Sequence, residues 1–203
     1  MKRKNIRIVK LAETAIFAAL CYVSFTFLQI KIPMPGGDAT SLHVGNAFCV
    51  LAALILGGGY GGLAGAIGMT IADLMDPIYI VGAPKTFVLK FCIGLIVGLV
   101  AHKLARINES TDKKYVLKWS IIASAAGLGF NVIADPIVGY FYKQFILGQP
   151  QQMAEVLAKW STATTFVNAV VSVILVGFLY NAVRPILLRS GMMTITNGKK
   201  KAV

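Results

Sequence analysis

Apolar residues run through this chain in long segments that are broken only by short polar stretches. A helix needs about 20 apolar residues to cross a hydrocarbon core about 30 Å thick. Dividing the chain at its polar stretches gives six segments, at residues 8–30, 43–58, 60–76, 84–106, 116–142 and 160–189. The pattern predicts an all-α polytopic membrane protein, a six-transmembrane-helix bundle that forms a single membrane domain over residues 1–203.

The second and third segments are short, and the sequence between them is rich in glycine. Residues 57–62 carry no charge, so this pair forms either two full spans joined by a tight hairpin or a partly re-entrant element. We expect two spans, because an even number of crossings is simpler. We also expect residues 31–43 to form an ordered, irregular loop, Pro84 to begin a helix and residues 149–158 to form a short surface helix.

The composition supports a membrane protein. Apolar residues make up 57% of the chain and charged residues 14%, and the mean hydropathy is +0.73. Soluble proteins average about 45–50% apolar and about 25% charged residues, so a soluble domain of this size cannot hide so much apolar surface. Cys21, Cys49 and Cys92 lie inside apolar segments without paired spacing. They therefore predict neither a disulfide framework nor a metal site.

The net charge of +12 comes from 20 lysines and arginines against eight acidic residues. These cations gather between the apolar segments, which is typical of a protein that fixes its orientation in a bilayer rather than of one that binds nucleic acid. Six crossings place most of them on one side: Lys2, Arg3, Lys4, Arg7, Lys10, Lys103, Arg106, Lys113, Lys114, Lys118, Arg184, Arg189, Lys199, Lys200 and Lys201. Because cationic loops stay in the cytoplasm, we expect a multi-pass protein of the cell membrane with both termini on the cytoplasmic side.

Polar side chains inside the apolar segments gather near one level, toward the side away from these cations. Such groups are costly in lipid, so they usually face a cavity or one another. A small polar solute that enters from outside and stops before the midplane would need such a layer. The candidate substrate-binding residues at this level are Asn46, Asp73, Lys85, Asn131, Asp135, Trp160 and Asn168, with His43, Asp76, Thr86 and Lys90 beside them.

Other interpretations of this layer stay open. Buried Asn, Ser and Thr side chains often tie helices together for about 0.6–2 kcal/mol each, although that role gives them no reason to gather near one face. The acids of the layer could instead form internal ion pairs with Lys85 and Lys90. Trp160 could belong to the interfacial aromatic belt, or it could stack on a flat ligand ring.

Two rows of small residues mark surfaces that another helix can approach closely. Ala15 and Ala19 are four residues apart in the first segment, and Gly94 and Gly98 are four apart in the fourth. Either row can pack within this chain. Because both lie in the half nearer the cations, below the polar layer, docking to another membrane subunit is the second interpretation.

The sequence predicts no catalytic residue, no metal site and no cofactor. Residues 57–65 are rich in glycine but lack the Gly-Lys-Ser or Gly-Lys-Thr of a phosphate-binding loop. His43 and His102 are far apart and on opposite sides, so they form neither a metal cluster nor a nucleophile–base pair. The chain contains no ATPase sequence, so uptake driven by nucleotide would need another polypeptide.

Together these features resemble the substrate-binding S components of energy-coupling-factor (ECF) vitamin transporters. The resemblance covers essentially the whole chain. It rests on six short spans in 203 residues, the basic start, Ala15-x-x-x-Ala19, the Pro/Gly-rich first outer loop, and residues 46–76 with their glycine hairpin. Within the family, the chain is similar to the group associated with the uptake of riboflavin, pyridoxine and hydroxymethylpyrimidine.

The resemblance implies a subunit of an ABC importer without enzymatic activity. It implies that the chain binds a small-molecule vitamin at the outer face. It also implies that Ala15 and Ala19 contact a transmembrane T component, which drives transport together with two ABC ATPases. It further implies that the S component topples in the membrane during transport. It implies ligand contacts from the first outer loop and the outer ends of the last three spans. A stand-alone ion-coupled secondary transporter or channel is one alternative, and a membrane enzyme or assembly factor is another. The sequence does not choose the vitamin.

Overall fold

The computed structural model describes residues 3–190, with side chains from residue 7 onward. This part of the chain forms six α-helices and one β-hairpin. In chain order the elements are α1 (Arg3–Phe27), β1 (Gln29–Pro33), β2 (Ala39–His43), α2 (Gly45–Leu56), α3 (Gly58–Leu74), α4 (Ala83–Gly98), α5 (Lys113–Phe141) and α6 (Gln151–Arg189). Wider π-helical turns extend α4 through Leu99–Leu104 and α5 through Tyr142–Ile146.

The hairpin marks one side of the bundle, which we call the hairpin side. It connects the end of α1 to the start of α2. Lys31 on β1 pairs with Asp76 just after α3, and Asp38 at the hairpin tip pairs with Lys143 just after α5. Met153, at the start of α6, lies against the hairpin tip. Since helix ends and helix starts alternate on this side, successive helices run in opposite directions.

The other side, which we call the opposite side, carries the cationic segments. Arg184, near the end of α6, donates hydrogen bonds to the carbonyl groups of Ile107 and Ser110 between α4 and α5. The predicted cations Lys2, Lys199, Lys200 and Lys201 lie outside the described residues, as do the side chains of Arg3 and Lys4.

Four helical stretches are long and apolar enough to cross a membrane: Arg7–Phe27, Ile80–Leu104, Lys113–Ile146 and Gln151–Arg189. The prediction of an all-α membrane protein is therefore confirmed. The helices α2 and α3 have 12 and 17 residues. At about 1.5 Å per residue they are about 18 Å and about 26 Å long, shorter than a hydrocarbon core of about 30 Å. The count of six crossings stays a prediction.

The first connection on the hairpin side corrects the sequence-based expectation of an irregular loop. Residues 31–43 belong instead to an antiparallel hairpin in which Gln29 pairs with His43 and Pro33 pairs with Ala39. Its tight tip uses Gly36 and Gly37, both with φ of +78°, a conformation that glycine adopts without steric cost. Strands of five residues are too short to give a clear alternating pattern in the sequence.

The connection between α5 and α6 also differs from the prediction. Residues 149–158 do not form a separate surface helix, because α6 begins at Gln151 and continues without a break to Arg189. Inside this helix Pro185 is near the far end, so no helix-breaking residue separates the predicted surface segment from the predicted span. The predicted helix start at Pro84 is confirmed, since α4 begins at Ala83.

Glycines bring the backbones of α3 and α4 into direct contact. A Cβ atom on Gly94 would overlap the backbone of Gly62, and a Cβ atom on Gly98 would overlap the backbone of Gly58. The Gly94 and Gly98 row is therefore used inside this chain. Its interpretation as a docking surface for another subunit was wrong, because the partner glycines of α3 already cover it.

The alanine row of α1 has a different position. Ala15 and Ala19 are exposed, whereas Thr14, Ala18 and Cys21 on the other face of α1 are buried. Within the described chain, no helix covers the alanine row.

We expect Gly94→Ala to lower the melting temperature of the protein in detergent. The added methyl group overlaps the backbone of α3, and overpacking costs about 1–3 kcal/mol. Gly129→Ala is the matched control, because no atom lies within 4 Å of the Cβ position at Gly129 on α5. That variant should be unchanged or slightly stabilised, since alanine favours a helix over glycine by about 1 kcal/mol. Size-exclusion profiles of heated samples give both values, and equal melting temperatures would contradict the close packing.

Candidate ligand-binding site

A cavity of about 270 Å³ lies beneath the hairpin, and all six helices contribute to its walls. The apolar interior of the bundle continues below it. Six of the seven predicted site residues line this cavity: Asn46, Asp73, Lys85, Asn131, Asp135 and Asn168. We predicted that these residues share one level from their depth along each helix, and in the structure they line one cavity. Whether each of them contacts a ligand stays a prediction.

Trp160 does not line the cavity, and its side chain is 46% exposed. Successive residues on an α-helix are rotated by about 100°. Because its neighbour Ser161 faces the cavity, Trp160 faces away from it. The structure corrects the expected position of Trp160, and this position fits an aromatic belt residue at the membrane surface.

Lys85 and Asp135 form an ion pair in the cavity wall, with 2.9 Å between Nζ and Oδ1. The other carboxylate oxygen of Asp135 accepts hydrogen bonds from the hydroxyl groups of Ser161 and Thr165. One carboxylate therefore links α4, α5 and α6. For these two residues, the alternative of an internal ion pair is the one that the structure contains.

Asn168 holds the hairpin over the cavity. Its Oδ1 accepts a hydrogen bond of 3.0 Å from the His43 backbone N–H, and its Nδ2 donates one of 2.9 Å to the Ser41 carbonyl. The hydroxyl groups of Thr40 and Thr164 add a contact of 2.8 Å. The Asn168 amide therefore positions β2, and its contact with a ligand stays a prediction.

The outer edge of the cavity is held by charged contacts. Lys31 and Asp76 are 2.5 Å apart from Nζ to Oδ2, and Asp38 pairs with Lys143. Burial tends to raise the pKa of the Asp76 carboxyl, but the Lys31 ammonium and the Ile78 N–H, which donate hydrogen bonds to it, hold that pKa below its ordinary value. The carboxylate is therefore ionised at neutral pH, and it joins β1 to the turn after α3.

Several other polar groups of the cavity have no partner within the described protein. The buried atoms without a hydrogen bond include Asn46 Oδ1, Asn131 Oδ1, His43 Nδ1 and the Tyr79 hydroxyl. Leaving a buried polar group unsatisfied costs about 1–3 kcal/mol, and native proteins contain few such groups. Their grouping around one cavity is what a polar ligand would satisfy.

Lys90 is a charged residue deep in the cavity that the predicted set did not include. It lies about two turns into α4, is 9% exposed and lines the cavity. Within the described residues, no carboxylate oxygen lies within 4.0 Å of its Nζ. Asp73 is 3% exposed and also has no ammonium within 4.0 Å. Its position in the middle of the apolar sequence of α4 could have marked Lys90 as a candidate site residue, because a lysine inside an apolar segment usually faces a cavity or a partner.

Two comparisons identify similar proteins. A family model described as ECF-type riboflavin transporter, S component, matches residues 5–185. Among solved structures, the chain is similar to ThiT from Listeria monocytogenes, with a TM-score of 0.64 and 17% sequence identity over 89% of this chain and 97% of that one. At this identity the structural likeness shows the fold alone. A sequence comparison with curated proteins gave no match.

We expect Lys85→Met to lower the free energy of unfolding by about 3–5 kcal/mol, because it leaves the largely buried Asp135 carboxylate without its cation. The double variant Lys85→Met/Asp135→Asn should recover much of this loss, since an amide oxygen still accepts hydrogen bonds from α6. Lys31→Met is the matched control. It removes a more exposed pair and should cost about 0–1 kcal/mol.

Denaturant titration in detergent, followed by tryptophan fluorescence, measures all three variants. A double variant that is no more stable than Lys85→Met would contradict the structural role of this ion pair.

Proposed function

Since the chain belongs to the family of ECF-type riboflavin transporter S components, we propose that it captures a B-group vitamin or vitamin precursor in the cavity beneath the hairpin. Members of this family are substrate-binding subunits of a transporter, and the protein is not an enzyme. The observation that carries the proposal is the cavity beneath the hairpin, where Asn46 Oδ1 and Asn131 Oδ1 have no hydrogen-bond partner and where Asp73 and Lys90 have no ion pair within the described chain.

We place the hairpin side outside the cell and the opposite side in the cytoplasm. The positive-inside rule supports this orientation, because the opposite side holds the described cations Arg7, Lys10, Lys103, Arg106, Lys113, Lys114, Lys118, Arg184 and Arg189. Both termini are then cytoplasmic, and the cavity receives its ligand from outside.

In this proposal the chain crosses the membrane six times, with α2 and α3 as short spans. Ten of the 12 residues of α2 are buried. A central helix that is surrounded by other helices does not need to match the thickness of the lipid, and its backbone is not exposed to lipid. The short length of α2 is therefore compatible with a crossing.

Delivery into the cell requires an energy source outside this chain. We assign that role to a transmembrane T component and two ABC ATPases, and we assign the alanine row of α1 as the surface that contacts the T component. Small side chains let the backbones of two helices approach closely. Ala15 and Ala19 are exposed on the membrane-facing side of α1, and they lie near the middle of this helix.

A stand-alone transporter coupled to an ion gradient is the second candidate. The observation that favours it is Asp73, a buried carboxyl group without an ion-pair partner within the described residues. Such a group is typical of a proton pathway in a transporter. Uptake into liposomes by the purified chain alone, driven by a proton gradient, would support this candidate over the first.

The binding proposal predicts that the purified chain, without any partner, binds at least one of riboflavin, pyridoxine and hydroxymethylpyrimidine in isothermal titration calorimetry. Asn168→Leu should weaken that binding by about tenfold, or about 1.4 kcal/mol, because β2 loses both hydrogen bonds that hold it over the cavity. Asn181→Leu is the matched control, since Asn181 is exposed on the same helix. A well-folded chain that binds none of these three compounds and no other B-group vitamin would contradict the proposal.

The docking assignment predicts that Ala15→Trp and Ala19→Trp reduce the amount of T component that co-purifies from cells expressing both subunits and the ATPases. A bulky side chain keeps the backbones apart at this surface. Ala125→Trp is the control, because Ala125 is an exposed alanine on α5. Vitamin binding by the isolated variants should be unchanged. Full co-purification of both α1 variants would rule out the alanine row as the contact.

A further inference from the structure

The cavity lining contains equal numbers of acidic and basic side chains. The acids are Asp38, Asp73 and Asp135, and the bases are Lys85, Lys90 and Lys143. Burial, together with the nearby Lys90 ammonium, lowers the pKa of the His43 imidazole to about 3, so this ring is neutral. A ligand with a net charge would lose its hydration on entry without meeting an excess of opposite charge. The balance therefore favours a ligand without net charge.

Most of these charges are already committed to one another. Lys85 pairs with Asp135, and Lys143 pairs with Asp38. Asp73 on α3 and Lys90 on α4 are left, each more than nine-tenths buried and each lining the cavity. No ion pair joins them, so the Asp73 carboxylate oxygens lie more than 4.0 Å from Lys90 Nζ. One carboxylate and one ammonium thus remain to meet a donor and an acceptor on the same ligand.

Three aromatic rings also line the cavity. The rings of Phe25 and His43 meet edge to face with centroids 4.6 Å apart, and Tyr79 lies 6.0 Å from Phe25. All three line the cavity. Aromatic side chains bind a flat ring by stacked or edge-to-face contacts worth about 0.5–1.5 kcal/mol per pair, so this wall suits the face or edge of a planar ligand.

The size of the cavity restricts the ligand further. Pockets for drug-sized molecules measure about 300–1,000 Å³, and this one measures about 270 Å³. That space favours a ligand with one ring and short substituents over a ligand such as riboflavin, which has three fused rings and a sugar-alcohol chain.

From these observations we propose that the cavity selects a compact, single-ring heteroaromatic molecule without net charge, whose hydrogen-bond donor meets Asp73 and whose acceptor meets Lys90. The proposal deepens the proposed function and rests on it. It excludes phosphate esters, because a phosphate group brings a charge of about −1.5 to −2 that the lining cannot balance. It also makes riboflavin, the vitamin in the description of the matching family model, a weaker ligand than a single-ring vitamin.

The test uses the full chain in detergent and four probes in isothermal titration calorimetry: pyridoxine, hydroxymethylpyrimidine, pyridoxine 5′-phosphate and riboflavin. At neutral pH we expect at least one of the first two to bind more tightly than the other probes by about tenfold or more. Equal or tighter binding of the phosphate ester or of riboflavin would overturn the inference while leaving the proposed function intact. If none of these probes and no other B-group vitamin binds, the proposed function itself is contradicted.

Charge variants supply the second measurement. Asp73→Asn gives the lining an excess positive charge, so it should raise the affinity for pyridoxine 5′-phosphate relative to pyridoxine by about tenfold. Lys90→Met gives an excess negative charge and should lower the same ratio. Lys159→Met is the control, because Lys159 is exposed on α6 and does not line the cavity. A purely structural role would not move this ratio in opposite directions.

An unchanged ratio in well-folded Asp73→Asn and Lys90→Met proteins would overturn the assignment of these two residues. If either variant fails to fold, as judged by size exclusion, the probe ranking on the unaltered chain still decides the ligand class.

Discussion

A charge that is enclosed by apolar helices needs a partner, and this constraint fixes the half of the bundle on the hairpin side. An unpaired buried ion costs several kcal/mol, so the Asp135 carboxylate collects the Lys85 ammonium and the hydroxyl groups of Ser161 and Thr165. Each partner lies on a different helix from Asp135. Satisfying one carboxylate therefore sets the relative positions of α4, α5 and α6, which form part of the cavity wall.

The hairpin depends on that arrangement for its own position. A two-stranded hairpin is marginally stable by itself in water, and here β2 is held by the Asn168 amide and by Thr164, both on α6. The ion pairs of Lys31 and of Asp38 add contacts to the turn after α3 and to the end of α5. The cover of the cavity is thus attached to the same helices as its walls, and a cavity that is held in this way lowers the entropic cost of binding.

The sequence predicts the depth of a polar residue better than its partner. Hydropathy and helical spacing place Asn46, Asp73 and Asn131 near one level, and all three line one cavity. Partners depend on the rotation of each helix about its axis, which a single apolar segment does not determine. Trp160 and Ser161 are neighbours in sequence, yet one faces outward and the other faces the cavity. For the same reason, the sequence could not separate Lys85, which is paired, from Lys90, which is free of any ion pair within the described chain.

The two rows of small residues show why the same motif has different uses. Gly94 and Gly98 meet a second pair with the same spacing, Gly58 and Gly62, so the matching rows were visible in the sequence. No second row faces Ala15 and Ala19 within the described residues. On its other face α1 already packs closely, because Ala18 lies against Gly68 of α3. The alanine row starts ten residues before Phe25 of the cavity wall, about 15 Å along the helix. A helix can therefore dock on this row without displacing any side chain that lines the cavity.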